Sequence, residues 1–161
     1  MKLQILSIAL FTSIVFYSCD SSLIQSSNAN NVIEQSITNK KWKITLLNSE
    51  KIQGDEKDFY LKLNSNSNQL EAKAGCNQLF GEFQIKENFI SFSKIGSTKM
   101  YCGDTMAIEN SFIAILSQTS KVVVIDSSKF ILLTDDIVIA QFELVKYIIL
   151  FKSCKLKSYR I

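Results

Sequence analysis

Cysteines are the residues with the most latent chemistry in this 161-residue chain, because it has four of them (Cys19, Cys76, Cys102 and Cys154) and no histidine. Without an imidazole, Ser-His and Cys-His nucleophile arrangements, histidine-bearing zinc sites and the commonest general base are all excluded. Five glycines, with neither a Walker sequence nor a glycine fingerprint, leave nothing to cradle a nucleotide phosphate. Among the carboxylates, the adjacent Asp135 and Asp136 suit a solvated turn. Asp55, Glu56 and Asp58 in a glycine-bearing loop offer at most a weak calcium site. Cys76 and Cys102 alone, without a CxxC pair or a histidine, do not supply the four ligands of a zinc site. A formal net charge of +3 is too small to point to nucleic acid. The expectation is a protein with no catalytic residues, no metal, no cofactor and no nucleic-acid partner.

What chemistry the cysteines do depends on compartment, and the start of the chain addresses that. Lys2 precedes a mostly apolar run from Leu3 to Phe16, which is shorter than a membrane span and reads as a removable targeting segment. Cys19 follows Phe16, Tyr17 and Ser18. That tetrapeptide looks like a bacterial lipoprotein cleavage box, in which the small Ser18 fits and the two aromatic residues depart from the usual choices. Lipid on Cys19 is therefore the expectation, with an ordinary secretory signal as the alternative. Both make the mature protein extracytoplasmic. Asp20 to Asn39 is rich in Ser, Asn and Gln and reads as a flexible tether of about 25 Å root-mean-square reach.

From Lys41 onward a period of two sets in. Trp42, Ile44 and Leu46 share one face, then Phe59, Leu61 and Leu63, then Leu70, Ala72, Ala74 and Cys76. Phe83 and Ile85, a short polar turn at Lys86 to Asn88, and Ile90 and Phe92 make an antiparallel hairpin. After Cys102, Ile108, Phe112, Ile115 and Leu116 fall on one face of a helix for which Asp104 is the expected N-cap. Val122 to Ile125, Phe130 to Leu133 and Ile137 to Phe142 supply three more strands. About eight antiparallel strands and one helix in a chain of this size can close a barrel with a filled interior or a small cavity. Glu143 to Ile161 carries five basic residues and one acidic residue. Its apolar run Leu144 to Phe151 is too short to span a bilayer and suits an added edge strand with a solvated basic end. Interfacial attraction to acidic lipid is the alternative.

In an oxidising compartment Cys76 and Cys102 are expected to pair. They flank one hairpin, Cys76 on the inward parity and Cys102 on the parity of Thr98 and Met100. Closing that loop would stabilise the fold by roughly 3.5 kcal/mol on a chain-entropy basis. The alternative is two buried thiols packed as small hydrophobes. Cys154 is left as the free thiol.

The residues around the hairpin form a pattern of their own. Gly75, Cys76, Asn77 and Gly81 precede it, Ile95, Ser97, Thr98, Met100 and Cys102 follow it, Glu109 and Phe112 open the helix, and Trp42 stands at the start. This pattern resembles the META domain (HslJ-like) family over about Lys40 to Phe142. The resemblance implies a small β-barrel-like domain of lipocalin-like topology, often carried on a bacterial lipoprotein and linked to heat stress and antibiotic tolerance at the envelope. It implies no reaction. Ser97, Thr98 and Met100 are read as turn hydrogen bonding and packing, with a binding surface as the alternative.

The chain is thus expected to divide into a leader (1–18), lipidated Cys19 with its tether (19–39), the META-type domain (40–142) and a basic extension (143–161). The expected function is a non-catalytic binding or structural module of the cell envelope, tethered to the membrane through Cys19 and meeting an unknown envelope protein. The alternative is a small barrel that takes up an apolar ligand, with an enzyme a more distant third.

Overall fold

The structure, a computed structural model, describes residues 27–146. The leader, Cys19, Cys154 and the extension from Tyr147 lie outside the described residues. In chain order the elements are α1 (Ser27–Ile37), β1 (Lys41–Leu47), β2 (Glu50–Lys51), β3 (Phe59–Asn64), β4 (Gln69–Ala74), β5 (Gln78–Lys86), β6 (Phe89–Ser97), a 3-10 turn (Gly103–Thr105), α2 (Met106–Gln118), β7 (Lys121–Asp126), β8 (Lys129–Thr134) and β9 (Ile137–Leu144). The nine strands form one antiparallel sheet in which β9 pairs back onto β1. Eight of them therefore make a closed ring, and the two-residue β2 is an appendage on the far end of β1.

Closure is uneven. Hairpin pairing runs without a break from β3 to β6, whereas β6 and β7 share a single registered pair, Phe89↔Lys121. The reason is connectivity: α2 follows β6, lies against it and against β4 and β1, and then delivers the chain to β7. Phe112, Ile115 and Leu116 on its buried face join the core there. α2 thus covers β6 with an apolar stripe while α1 packs against β7, so helices back the strands on both sides of the seam.

Three corrections to the expected elements have local causes. The tether anticipated up to Asn39 gives way at Ser27 to α1, whose last residue Ile37 is wholly buried and whose Ile33 packs against the core. Ile33 and Ile37 are one helical turn apart on one face, a signal too short to stand out among Ser and Asn. Leu46 is not a core residue; a bulge at Thr45 between Ile44 and Leu46 flips the parity, so that Leu47 points inward. Asp104 is not the N-cap of α2: it lies within the 3-10 turn, and Thr105 occupies the cap position with no side-chain cap bond. Toward the C-terminus the domain continues past Phe142, since β9 runs to Leu144 and the Val145 N–H donates to the Lys41 carbonyl at 3.0 Å.

The interior is filled by an aromatic column. Trp42 meets Phe130 edge-on at 4.8 Å, Phe130 stacks on Phe142 at 4.6 Å, and Phe142 faces Phe112 at 6.4 Å. One chain of ring contacts thereby connects β1, β8, β9 and α2, and each such pair adds about 0.5–1.5 kcal/mol beyond area burial. Trp42 also donates its Nε1–H to the Ile37 carbonyl at 2.7 Å, which ties α1 to the column. Replacing Phe130 by Ala should lower the unfolding free energy by about 3–5 kcal/mol. The same change at the outward-facing Phe80 should cost under about 1 kcal/mol. Urea midpoints of the two variants check this, and equal losses would mean that the column is not the centre of the core.

Candidate functional site

The motif residues converge on a corner where β4 turns into β5. Gly75 begins it with φ +120°, a conformation that side chains rarely adopt, and a Cβ there would sit 2.6 Å from that of Thr105. The turn breaks the parity carried by Leu70, Ala72 and Ala74, so Cys76 is half-buried rather than fully inward and Asn77 takes the buried place. Cys76 is joined to Cys102 by a disulfide, with Cα atoms 6.1 Å apart.

Asn77 is the hub. Its N–H donates to Glu109 Oε2 at 3.1 Å, and its Nδ2 donates to the Met100 carbonyl at 3.1 Å. Its Oδ1 accepts from the Met100 N–H at 2.8 Å and from the Thr98 hydroxyl at 2.9 Å. The Thr98 Oγ1 in turn accepts the Gln78 N–H at 3.1 Å. One residue thereby holds the segment leaving β6 through its side chain and the first turn of α2 through its backbone N–H. Glu109 is 5% exposed, and its place in the first turn of α2 suits a carboxylate electrostatically.

The remaining motif residues serve the frame. Gly81 lies opposite a two-residue bulge, Lys94 and Ile95, and a Cβ on it would come within 3.0 Å of the Ser93 carbonyl. Ser97 pairs with Leu79 at the end of β6, while Phe112 and Trp42 belong to the aromatic column. Met100 does not pack: its side chain is 56% exposed, and only its backbone is used. Asp135 and Asp136 make the two-residue turn between β8 and β9, both at positive φ. Asp58 pairs with Lys73 at 2.6 Å, and among the described residues no three acidic, cysteine or histidine side chains converge on a metal position.

A second constellation, on the outer face of β3 to β5, carries no motif residue. Tyr60 is 7% exposed although it points away from the core. Lys41 Nζ lies 4.4 Å and Lys62 Nζ 5.3 Å from the centre of its ring, the lysine stems covering the aromatic face. The Tyr60 hydroxyl donates to Glu71 Oε1 at 2.8 Å and accepts from Gln78 Nε2 at 2.9 Å. Burial, then the bond to Glu71, pushes the Tyr60 phenol above its ordinary value. Burial also opposes the Glu71 charge, but hydrogen bonds from Tyr60 and Lys62 outweigh it and hold the carboxyl below the usual range. Beside this network a cleft of about 1030 Å³ opens at the end of the ring where β1 begins and β9 finishes, with Leu63, Leu70, Phe80 and Leu144 among its apolar walls. Alternation alone marks Tyr60 and Lys62 as solvent-facing; the usable signal was the opposition of Lys62 and Glu71 across β3 and β4, which requires the register.

The META domain profile matches residues 35–145. The chain belongs to the META domain family. Its fold is shared with the NMR structure of a protein from Burkholderia xenovorans, at 19% identity and a TM-score of 0.57, covering 73% of this chain and 90% of that one. A second NMR structure is similar at 14% identity and a TM-score of 0.55, covering 68% and 92%. No curated protein matches the chain. The profile takes in Ile37 and Val145, beyond both ends of the 40–142 domain expected from the motif.

Two expectations follow for this META domain. Asn77→Ala should cost about 1–3 kcal/mol, because it removes a buried side chain that holds the part-buried Met100 backbone and Thr98 hydroxyl, whereas Thr98→Ser should cost under about 1 kcal/mol. Thermal or urea unfolding checks the order. For Glu71, the folded-state pKa lies below the unfolded value, so its contribution is present above the unfolded carboxylate range and is lost as pH falls through the folded value. Tyr60→Phe removes one bond to it, and the Glu71 carboxyl followed by NMR should titrate at higher pH in that variant.

Proposed function

We propose that the chain is an extracytoplasmic META-domain module of the cell envelope, tethered through a lipid on Cys19, that binds or braces other envelope components and carries out no reaction. The observation that carries this reading is the Cys76–Cys102 disulfide in the motif corner, since such bonds persist in oxidising compartments and are rare in reducing ones. A non-catalytic role is supported by how the motif spends its polar groups. Asn77, Thr98 and Glu109 are engaged with one another and with backbone. Between Cys19 and the start of α1 at Ser27 there are eight peptide steps, at most about 28 Å even if fully extended. A lipid on Cys19 would therefore hold the domain near the membrane surface. Heat stress and antibiotic tolerance are the setting that the family resemblance implies.

A second reading, uptake of an apolar ligand, is favoured by the outer cleft rather than by the ring interior, which the aromatic column occupies.

Intact mass of the protein extracted from bacterial membranes tests the first reading. A mature chain starting at Cys19 with an added diacylglycerol mass, and a peptide linking Cys76 to Cys102, are the expected results. A soluble chain starting elsewhere, or free thiols at both positions, would overturn it.

A further inference from the structure

The outer cleft combines an apolar wall with cations that no carboxylate of the described residues neutralises. Phe80 stands 53% exposed in it, and a Cβ on Gly96 would lie 2.5 Å from the Phe80 ring, so this glycine is what lets the ring lie flat against β6. Leu144 and Val145 continue the apolar surface at the end of β9, over a floor of Leu63 and Leu70. Four lysines and two glutamates line the same space, a net charge of +2. Both glutamates are taken: Glu71 by Lys62 at 3.1 Å and Glu82 by Lys94 at 2.8 Å.

Lys40 and Lys41 remain. Lys40 Nζ donates to the Ser36 carbonyl at 2.6 Å, and Lys41 Nζ sits over the Tyr60 ring. Neither forms an ion pair with a carboxylate of the described residues. Both line the cleft, so its two excess positive charges lie where β1 begins and are complementary to an anion. An apolar wall without a polar complement, in turn, holds a chain without orienting it.

We infer that this cleft binds a single-chain amphiphile with an anionic head, a free long-chain carboxylate, whose head lies at Lys40 and Lys41 and whose chain lies along Phe80 and Leu144. The cavity of about 1030 Å³ has room for such a molecule. This deepens the apolar-ligand reading and does not depend on a lipid at Cys19. The site is separate from the motif corner: Asn77, Glu109 and the disulfide are not among its lining residues.

The test uses the full chain in phosphatidylcholine nanodiscs, labelled with a photoreactive C16 fatty acid and, in parallel, with the matching fatty alcohol, adducts being located by peptide mass spectrometry. The acid should label peptides bearing Phe80 or Leu144 at least five times more than the alcohol. Lys40→Gln with Lys41→Gln should erase that preference. Phe80→Ala, a surface change, should reduce labelling by both probes. Equal labelling of the cleft by acid and alcohol would overturn the anionic head while leaving the apolar-ligand reading standing. Adducts confined to other surfaces would overturn both. Photocrosslinks from residues 147–161 into an unlabelled cleft would assign it to the chain's own end, and would overturn both as well.

Discussion

The weak seam between β6 and β7 sets the terms for the rest of the domain. A ring of eight strands that pairs more extensively everywhere else meets at one registered pair here, and helices back the two sides of the gap, α1 against β7 and α2 against β6. The buried stripe of α2 begins with Glu109 and continues through Phe112, Ile115 and Leu116. Sequestering a carboxylate costs several kcal/mol unless it is hydrogen-bonded, so the Asn77 N–H both secures the helix and makes the burial tolerable. The same Asn77 holds the Met100 backbone from its other side, and the neighbouring Cys76 holds Cys102 covalently. The segments at Cys76 and Cys102 are thus fixed twice at one corner, and α2 is joined to it through Glu109. That redundancy accounts for a motif with so many polar members and no reactive arrangement.

Strand existence was legible because Trp42, Phe59, Leu61, Leu63, Leu70 and Phe83 keep strict alternation and all are buried. The helix after Cys102 was legible for the same reason at a different period. Register was not. The bulges at Thr45 and at Lys94 with Ile95 each add a residue to one strand, and parity counted forward from Trp42 or from Phe92 fails beyond them. Cys76 shows the same effect at a turn. Counting from Leu70 puts it inside, but the positive φ of Gly75 rotates the chain so that Asn77 is the buried residue.

α1 was missed because its evidence in sequence is two isoleucines in a polar background. Its stability comes from the column it touches, through Ile37 and the Trp42 indole, rather than from its own propensity. The motif was the opposite case. Its residues could be named from the sequence, yet the part each plays depends on three-dimensional convergence. Met100 illustrates the gap: the position is held for its backbone, while its side chain is exposed.

Eight strands leave an interior just wide enough for side chains or one small ligand, and here large aromatic residues take the space. The shaped space of the domain lies instead at the outer cleft. On most of a barrel exterior, alternating polar residues are fully solvated and bring little shape. Over β3 to β5 they do otherwise, because Tyr60 lies beneath the stems of Lys41 and Lys62 with its hydroxyl fixed by Glu71 and Gln78. Side chains ordered in this way present a defined surface at low entropic cost on binding, since they are already immobilised in the free protein. The end of β9 adds Leu144 beside them and the segment after α1 adds Lys40, while β3, β4 and β5, with Gly81 of the motif, line most of the rest of the cleft.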